Sequence, residues 1–523
     1  MLFNSYPFIF LFLPLVVAVF FALGSVSRVW ALRWIIAASL FFYGWWRPLN
    51  ILIIAPSILI NFGLARVLQR LGREEKRRAA QAVLLLGIAF NVAFLGYFKY
   101  SNFLVGAVND AFGTQYVLAH IILPLGISFI TFQKIAFLID IQAGRVESFT
   151  FEDYCLFVLF FPQLIAGPIV HYREMMPQFH RASCRFDKEN ISVGVTLFAF
   201  GLFKKVFIAD SIAPIVRPIY EQAAAGARIG MATAWIAAIG FALQIYFDFS
   251  GYTDMALGIA RFFGIRLPPN FNSPLRATNI IDFWQRWHMT LTRFLTAYIY
   301  NPLTLWLTRR RAAKGLPGFG GRNRTLGGFI ELLMFPVLLT MLISGIWHGA
   351  GYTFIVWGVL HGIYLTVNHA WRQVGPKLWP NKASYERFMR PAGFLITFLC
   401  VAASMVIFRA TTLRSAGDLL VGMAGLHGLG VSALRGQFAI GLKRVALWIA
   451  VPGFIALALP NTLQILSAYE PALCWKSGPG GRLAAVRALL WDPSLAWGLA
   501  ISVIAALGVA NLGGHSEFLY WQF

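Results

Sequence analysis

The 523-residue chain is 58% hydrophobic and only 12% charged, with mean hydropathy +0.67 and 48 phenylalanines, far more apolar side chain than a soluble core of this size holds. Its formal charge of +23 does not point to nucleic acid, because the lysines and arginines fall in short loops between apolar runs, where membrane insertion places them. Cys155, Cys184, Cys400 and Cys474 are widely separated and form no CxxC pair, so neither a disulfide framework nor a metal site is signalled.

Apolar runs near the roughly 20 residues needed to cross a bilayer recur along the whole chain. They predict an all-α polytopic membrane protein built as one multi-pass domain. In chain order the expected spans lie near 6–23, 29–46, 50–66, 80–98, 118–141, 154–170, 191–216, 230–248, 329–347, 352–370, 391–409, 443–468 and 493–512. The first has no basic residue ahead of it and no small-x-small site after it, and is expected to remain as an uncleaved span. Arg66, Arg70, Arg73, Lys76, Arg77 and Arg78 form the densest early basic loop, which the positive-inside bias assigns to the cytoplasm. Counting back puts the N-terminus outside, with Arg28 and Arg33 cytoplasmic. Lys476, Arg482 and Arg487 make the loop before the last span cytoplasmic as well. The closing FLYWQF, Phe518 to Phe523, then falls on the external face, where Tyr and Trp serve as interfacial anchors.

An ionisable side chain at bilayer depth is costly unless it is paired or lines a wet cavity, and the middle of the chain is crowded with them. FITFQKIAFLIDIQAG carries Gln133, Lys134 and Asp140; FDFSGYTDMALG carries Asp248, Ser250, Tyr252 and Asp254; IIDFWQRWHMTLTRFL carries Asp282, Arg286, His288 and Arg293. Structural pairing accounts for part of this: Lys134 with a carboxylate, and Asp282 with Arg286 at i,i+4.

Two histidines stand apart. His288 lies in a segment too aromatic and charged for a plain span, better suited to a helix along the membrane or lining a funnel. His348 is bracketed by Gly345, Gly349 and Gly351, which permit a helix break or a close backbone approach. A neutral imidazole is suited to take a proton from a hydroxyl and return it to a leaving group. On one continuous helix, the 13 residues from His348 to His361 would rotate His361 roughly 140° away, so it reads as a packing or hydrogen-bonding histidine. His120, His171, His180, His369, His427 and His515 read as loop or interface residues. No histidine pair has metal-ligand spacing and no GxSxG elbow occurs, which leaves base-assisted transfer without a bound metal.

The segments NSYPFIFLFLPL, ILPLGISFITFQKIAF, FPQLIAGPIVHYREMMPQF, QIYFDFSGYTDMALGIARFFG, RWHMTLTRFL and SGIWHGAGYTFIVWGVLHG, in that order, resemble the membrane-bound O-acyltransferase (MBOAT) family. The resemblance is to its bacterial branch, which acetylates alginate, cellulose or peptidoglycan or adds D-alanine to teichoic acids. It implies a ring of tilted helices around a thinned centre, with a cytoplasmic and an external funnel. The motif-bearing core covers about 118–370; the stretch 303–325 is longer and more basic than the pattern, and 411–490 matches less clearly.

By motif match His348 is the essential histidine and His288 its companion, with Trp287, Thr290, Gln133, Asp248 and Asp254 as funnel-lining candidates. The donor implied is a cytosolic acyl thioester, acetyl-CoA or an acyl carrier protein, with no bound cofactor. Arg309, Arg310, Arg311 and Lys314 are candidates for its phosphates. The tail at 513–523 also acquires a role. D-alanyl systems use an F-x-Y-x-x-F hexapeptide on a small partner, and Phe518, Tyr520 and Phe523 reproduce that spacing here, with Tyr520 as an acyl relay. Partners implied are the lipid bilayer, a periplasmic SGNH-type acetyltransferase/esterase and, through it, a polysaccharide acceptor. The rival class is a transporter or polymer-export channel, but no internal repeat of the kind common in transporters is visible.

Overall fold

The computed structural model describes all residues except 120, 319–324, 431–441, 476–488, 514–518 and 520–523. The described residues are helical and include no strand. A chain in lipid must satisfy its backbone N–H and C=O groups internally, and an apolar chain can do this segment by segment only as helix.

Among the described residues, seven helices are long and apolar enough to cross a membrane: Phe8–Val26, Leu49–Arg73, Arg77–Phe112, Lys188–Ala224, Met231–Phe262, Leu326–His348 and Lys382–Arg409. Arg28–Gly44, Tyr352–Val374, Leu442–Ala458 and Leu495–Ala510 add further apolar helices. The protein is an all-α polytopic membrane protein.

Three expected spans differ. The run at 154–170 is no span but two short helices, Phe151–Leu159 and Phe161–Leu164, followed by irregular chain. Pro162 sits at the start of the second, and a Cβ on Gly167 would lie 2.4 Å from Gln163 Cα, so the backbone folds back on itself. Residues 154–172 are buried throughout, the only setting in which non-helical backbone is tolerated at membrane depth. The run at 118–141 becomes helical only at Ile127, after the left-handed Gly126 that follows Pro124 and Leu125. The run at 443–468 stops at Ala458, just before Pro460. Conversely, the helix from Met231 continues past 248 to Phe262 and carries the polar run 248–254 inside it.

The chain divides into two compact units. The first comprises 1–206, 250–269 and the described part of 462–522. In it, Gly194 and Gly201 face Gly258 and Gly251: a Cβ on Gly201 would stand 2.5 Å from Gly251 O, and one on Gly258 2.5 Å from Gly194 O. Two helices thus meet backbone to backbone along small residues, as membrane helices favour. Polar groups in this unit pair inward. Asn61 and Asn91 bond reciprocally at 3.2 and 2.6 Å. Lys134 Nζ donates to Ser57 Oγ at 2.7 Å rather than to a carboxylate, and Asp140 is held by Arg145 at 2.9 Å.

The second unit comprises 207–249 and 270–461. Its centre is the hairpin of Phe335–His348 and Tyr352–Val374, closed along Gly345 and Gly358. A Cβ on Gly345 would fall 2.3 Å from Phe354 O and one on Gly358 2.5 Å from Met341 O, both backbone atoms that no rotamer change moves. Gly345→Ala should therefore destabilise the protein by about 1–3 kcal/mol. Gly63→Ala, with nothing within 4 Å of its Cβ, should not. Thermal unfolding of the two variants in detergent checks the contrast.

Candidate active site

In the second unit the residues around His288 and His348 converge. The helix Phe335–His348 ends on His348 itself; Gly349 and Gly351 are extended, the chain bends at Ala350 and Gly351, and the next helix starts at Tyr352. A Cβ on Gly349 would lie 2.1 Å from the Phe354 ring, so a side chain there would clash with Phe354. The helix break that the glycines permit is present.

His288 is held by a different device. It has φ 44° and ψ 50°, a left-handed conformation unusual for a residue with a side chain, and it caps the helix Met289–Leu295. A backbone in this region costs of order 1–3 kcal/mol and persists only where its surroundings impose it. Asn270 imposes it here. Its backbone carbonyl accepts from Met289 N at 3.0 Å, and its Oδ1 accepts from Thr290 N at 3.2 Å, Thr290 Oγ1 at 3.0 Å and His288 Nδ1 at 3.0 Å. A backbone N–H only donates, so the Asn270 atom facing it is the oxygen. His288 Nδ1 therefore carries the proton, and in the neutral ring Nε2 carries the lone pair.

The imidazoles of His288 and His348 are 6.3 Å apart between ring centroids, both nearly wholly buried. Aromatic rings wall them: Phe249 and Trp347 against His288 at 4.8 and 6.2 Å, Trp357 and Phe408 against His348 at 5.1 and 5.3 Å. Three polar atoms in this neighbourhood are buried and lack a hydrogen-bond partner within the protein: Ser344 Oγ, Trp357 Nε1 and Asn270 Nδ2. Protein interiors rarely leave such groups unsatisfied, and the usual reason is a ligand or water that the site receives.

The other sequence-predicted residues divide. Trp287 and Thr290 lie at the site, Trp287 stacked on Phe283 at 5.7 Å and edge-on to Phe271 at 5.1 Å. Asp248 is buried one residue before Phe249. Asp282 and Arg286 form the expected i,i+4 pair at 2.6 Å. Gln133 and Asp254 belong to the first unit, where Asp254 closes a ring with Lys204 at 2.6 Å and Thr462 at 2.7 Å. Arg311 is engaged by Glu331 at 2.7 Å and by the Pro317 carbonyl, whereas Arg309, Arg310 and Lys314 are exposed. The tail residues Phe518, Tyr520 and Phe523 lie outside the described residues.

His361 packs on Trp357 at 4.7 Å, accepts from Trp284 Nε1 on Nδ1 at 3.2 Å and meets Ser404 Oγ through Nε2 at 3.0 Å. Because the helix breaks after His348, the continuous-helix rotation does not apply; Trp357 instead lies against both histidines. Asn270, Trp357, Ser344 and Phe408 escaped the sequence reading. For Asn270 the signal in the sequence was slight: a polar residue in the proline-flanked stretch PPNFNSP.

The fold defines an integral-membrane protein, with two buried histidines close together inside it. The sequence model of the membrane-bound O-acyltransferase family matches residues 142–315. The peptidoglycan O-acetyltransferase of Helicobacter pylori is 39% identical over 85% of this chain and 84% of its own. The probable alginate O-acetylase AlgI of Pseudomonas aeruginosa is 34% identical over the full length of both chains. The teichoic acid D-alanyltransferase of Streptococcus thermophilus is 27% identical over 57% of this chain and 69% of its own. The chain belongs to the membrane-bound O-acyltransferase family, and it is an acyltransferase.

Asn270→Ala removes the acceptor that orients His288 and Thr290. Misplacement of this kind typically costs about 10²-fold in rate, so acyl-transfer turnover should fall by that factor with unchanged expression and gel-filtration profile. Wild-type turnover would show that Asn270 does not set the His288 ring.

Proposed function

We propose that the enzyme takes an acetyl group from a cytosolic thioester, acetyl-CoA or an acyl carrier protein, and passes it across the inner membrane for O-acetylation of an exported or cell-envelope polysaccharide such as alginate or cellulose. The observation that carries this reading is His348 at a helix end, buried, with the oriented imidazole of His288 6.3 Å away between centroids. His348 is the general base. It takes the proton of the acceptor hydroxyl as that oxygen attacks the thioester carbonyl; the C–O bond forms, the C–S bond breaks, and the imidazolium returns the proton to the departing sulfur as a thiol. Trp357 Nε1 and Asn270 Nδ2, buried and without protein partners, are donors suited to the charge that develops on the carbonyl oxygen. The exposed Arg309, Arg310 and Lys314 are the cations that receive the donor's phosphates.

Tyr520 is the first acceptor in this reading. Its phenol takes the acetyl group at the periplasmic face, flanked by Phe518 and Phe523, and a periplasmic SGNH-type transferase moves it to a sugar hydroxyl. The 39% identity to a peptidoglycan O-acetyltransferase supports a second acceptor, a cell-wall glycan, with the same donor and the same histidine chemistry.

Incubation of the purified protein with radiolabelled acetyl-CoA tests the reading. Wild type should release CoA and retain acid-stable label on the protein. His348→Ala should lower both by at least about 10²-fold with an unaltered unfolding transition; retained activity removes His348 from the chemistry. Tyr520→Phe should abolish protein-bound label and, in cells, polymer acetylation. Full acetylation by Tyr520→Phe rules out the relay and returns the tail to an interfacial anchor.

A further inference from the structure

The first unit contains a cavity of about 430 Å³ that no step of acyl transfer uses. It lies where Phe20 and Phe21, near the end of the span Phe8–Val26, meet Phe262 and Phe263 at the end of the helix Met231–Phe262. Its walls also carry four arginines, Arg181, Arg185, Arg261 and Arg266, against one carboxylate, Asp187, whose Oδ1 already accepts from Asn190 N at 3.0 Å. Glu189 and Glu470 approach from the side, largely exposed, and pair with Arg261 at 3.5 Å and with Arg266.

Arg261 makes this more than a patch of surface charge. Its side chain is only 1% exposed, yet its contacts to protein acceptors are two long ones, both from Nη2: Glu189 at 3.5 Å and the Tyr469 carbonyl at 3.4 Å. Its Nε is buried with no hydrogen-bond partner among the described residues. A guanidinium offers five N–H donors, and a buried cation left so thinly paired is expensive unless an anion completes it. The surrounding wall is built rather than incidental. Gln178 clamps the backbone of Arg266 from both sides, accepting from its N at 2.8 Å and donating to its O at 3.1 Å. The turn that carries Arg185 passes so close to Gly24 that a Cβ there would sit 2.3 Å from Cys184 O, and Cys184 itself adopts φ 51°.

Within this unit a chain of contacts puts the cavity on the same face as the basic loops: Arg28 donates to the His180 carbonyl, His180 pairs with Asp153, Arg33 with Glu152, and Gln69 with the Glu147 carbonyl. The positive-inside bias assigns such a face to the cytoplasm, where basic pockets between helix ends receive anionic lipid headgroups.

We propose that this cavity is an anion site for a phosphate ester, held by Arg181, Arg185, Arg261 and Arg266 above an aromatic floor of Phe20, Phe21, Phe262 and Phe263. The expected source is the headgroup of an anionic phospholipid, whose glycerol and first methylenes lie on that floor; a soluble nucleotide phosphate offers the same group from the water side. The proposal is independent of the acceptor and of the role of Tyr520.

Delipidated full-length protein in neutral detergent is titrated with phosphatidylglycerol, phosphatidylcholine and, separately, adenosine 3′,5′-bisphosphate, with binding read by native mass spectrometry and thermal unfolding. Arg261 is buried, so its replacement endangers the fold, and the exposed pair R181Q/R185Q provides the test. Selective retention of one phosphatidylglycerol, weakened about tenfold or more in R181Q/R185Q, establishes the site with a lipid source. The same loss seen with adenosine 3′,5′-bisphosphate alone establishes it with a soluble source. Absence of binding by both anionic probes, or binding that R181Q/R185Q leaves unchanged, overturns it.

Discussion

Lipid offers no hydrogen bonds, so irregular backbone within the bilayer has to be satisfied by protein, and this requirement shapes the second unit. Both of its special segments are irregular: the non-helical Gly349–Gly351 link after His348, and the left-handed turn at His288. One side chain, Asn270, closes the second. Its Oδ1 collects a backbone N–H, a hydroxyl and an imidazole, turning a strained junction into the element that sets the tautomer of a site histidine. The first segment is held by packing instead, since the glycine seam brings the two hairpin helices to backbone contact on either side of the break.

Charge in the first unit follows the same economy. Asp254, Lys204 and Thr462 close a three-membered ring, and Lys134 is satisfied by a serine hydroxyl. A buried polar group completed in this way is stable and, for the same reason, poorly available for chemistry. Arg261 breaks the pattern, as do Trp357 Nε1 and Asn270 Nδ2 in the other unit.

Much of the architecture was legible because hydrophobic run length and glycine placement are local signals. The spans at 50–66, 80–98, 191–216, 329–347 and 391–409 correspond to long helices, and the Gly345/Gly349/Gly351 cluster marked the helix break at His348. The misread runs at 118–141 and 154–170 are equally apolar. In the first, Pro124 and the left-handed Gly126 delay the helix where Leu118, Ile122 and Leu123 stay exposed; in the second, the burial of 154–172 lets Pro162 and Gly167 interrupt it, and burial is not written in hydropathy. The pairing of Lys134 failed for a related reason: a lysine in sequence shows its charge but not the Ser57 hydroxyl, 77 positions away, that reaches it first.

By itself the sequence determined that the chain is a helical membrane protein, which helices are long, and which two histidines to watch, because composition, periodicity and motif spacing are carried by neighbouring residues. Only the tertiary structure decided that Asn270 orients His288, that Trp357 lies against both His348 and His361, that Arg311 is taken by Glu331, and that four arginines surround one cavity. Each of these depends on residues distant along the chain meeting within a few ångströms, and hydrogen-bond and ion-pair energies are decided at that range.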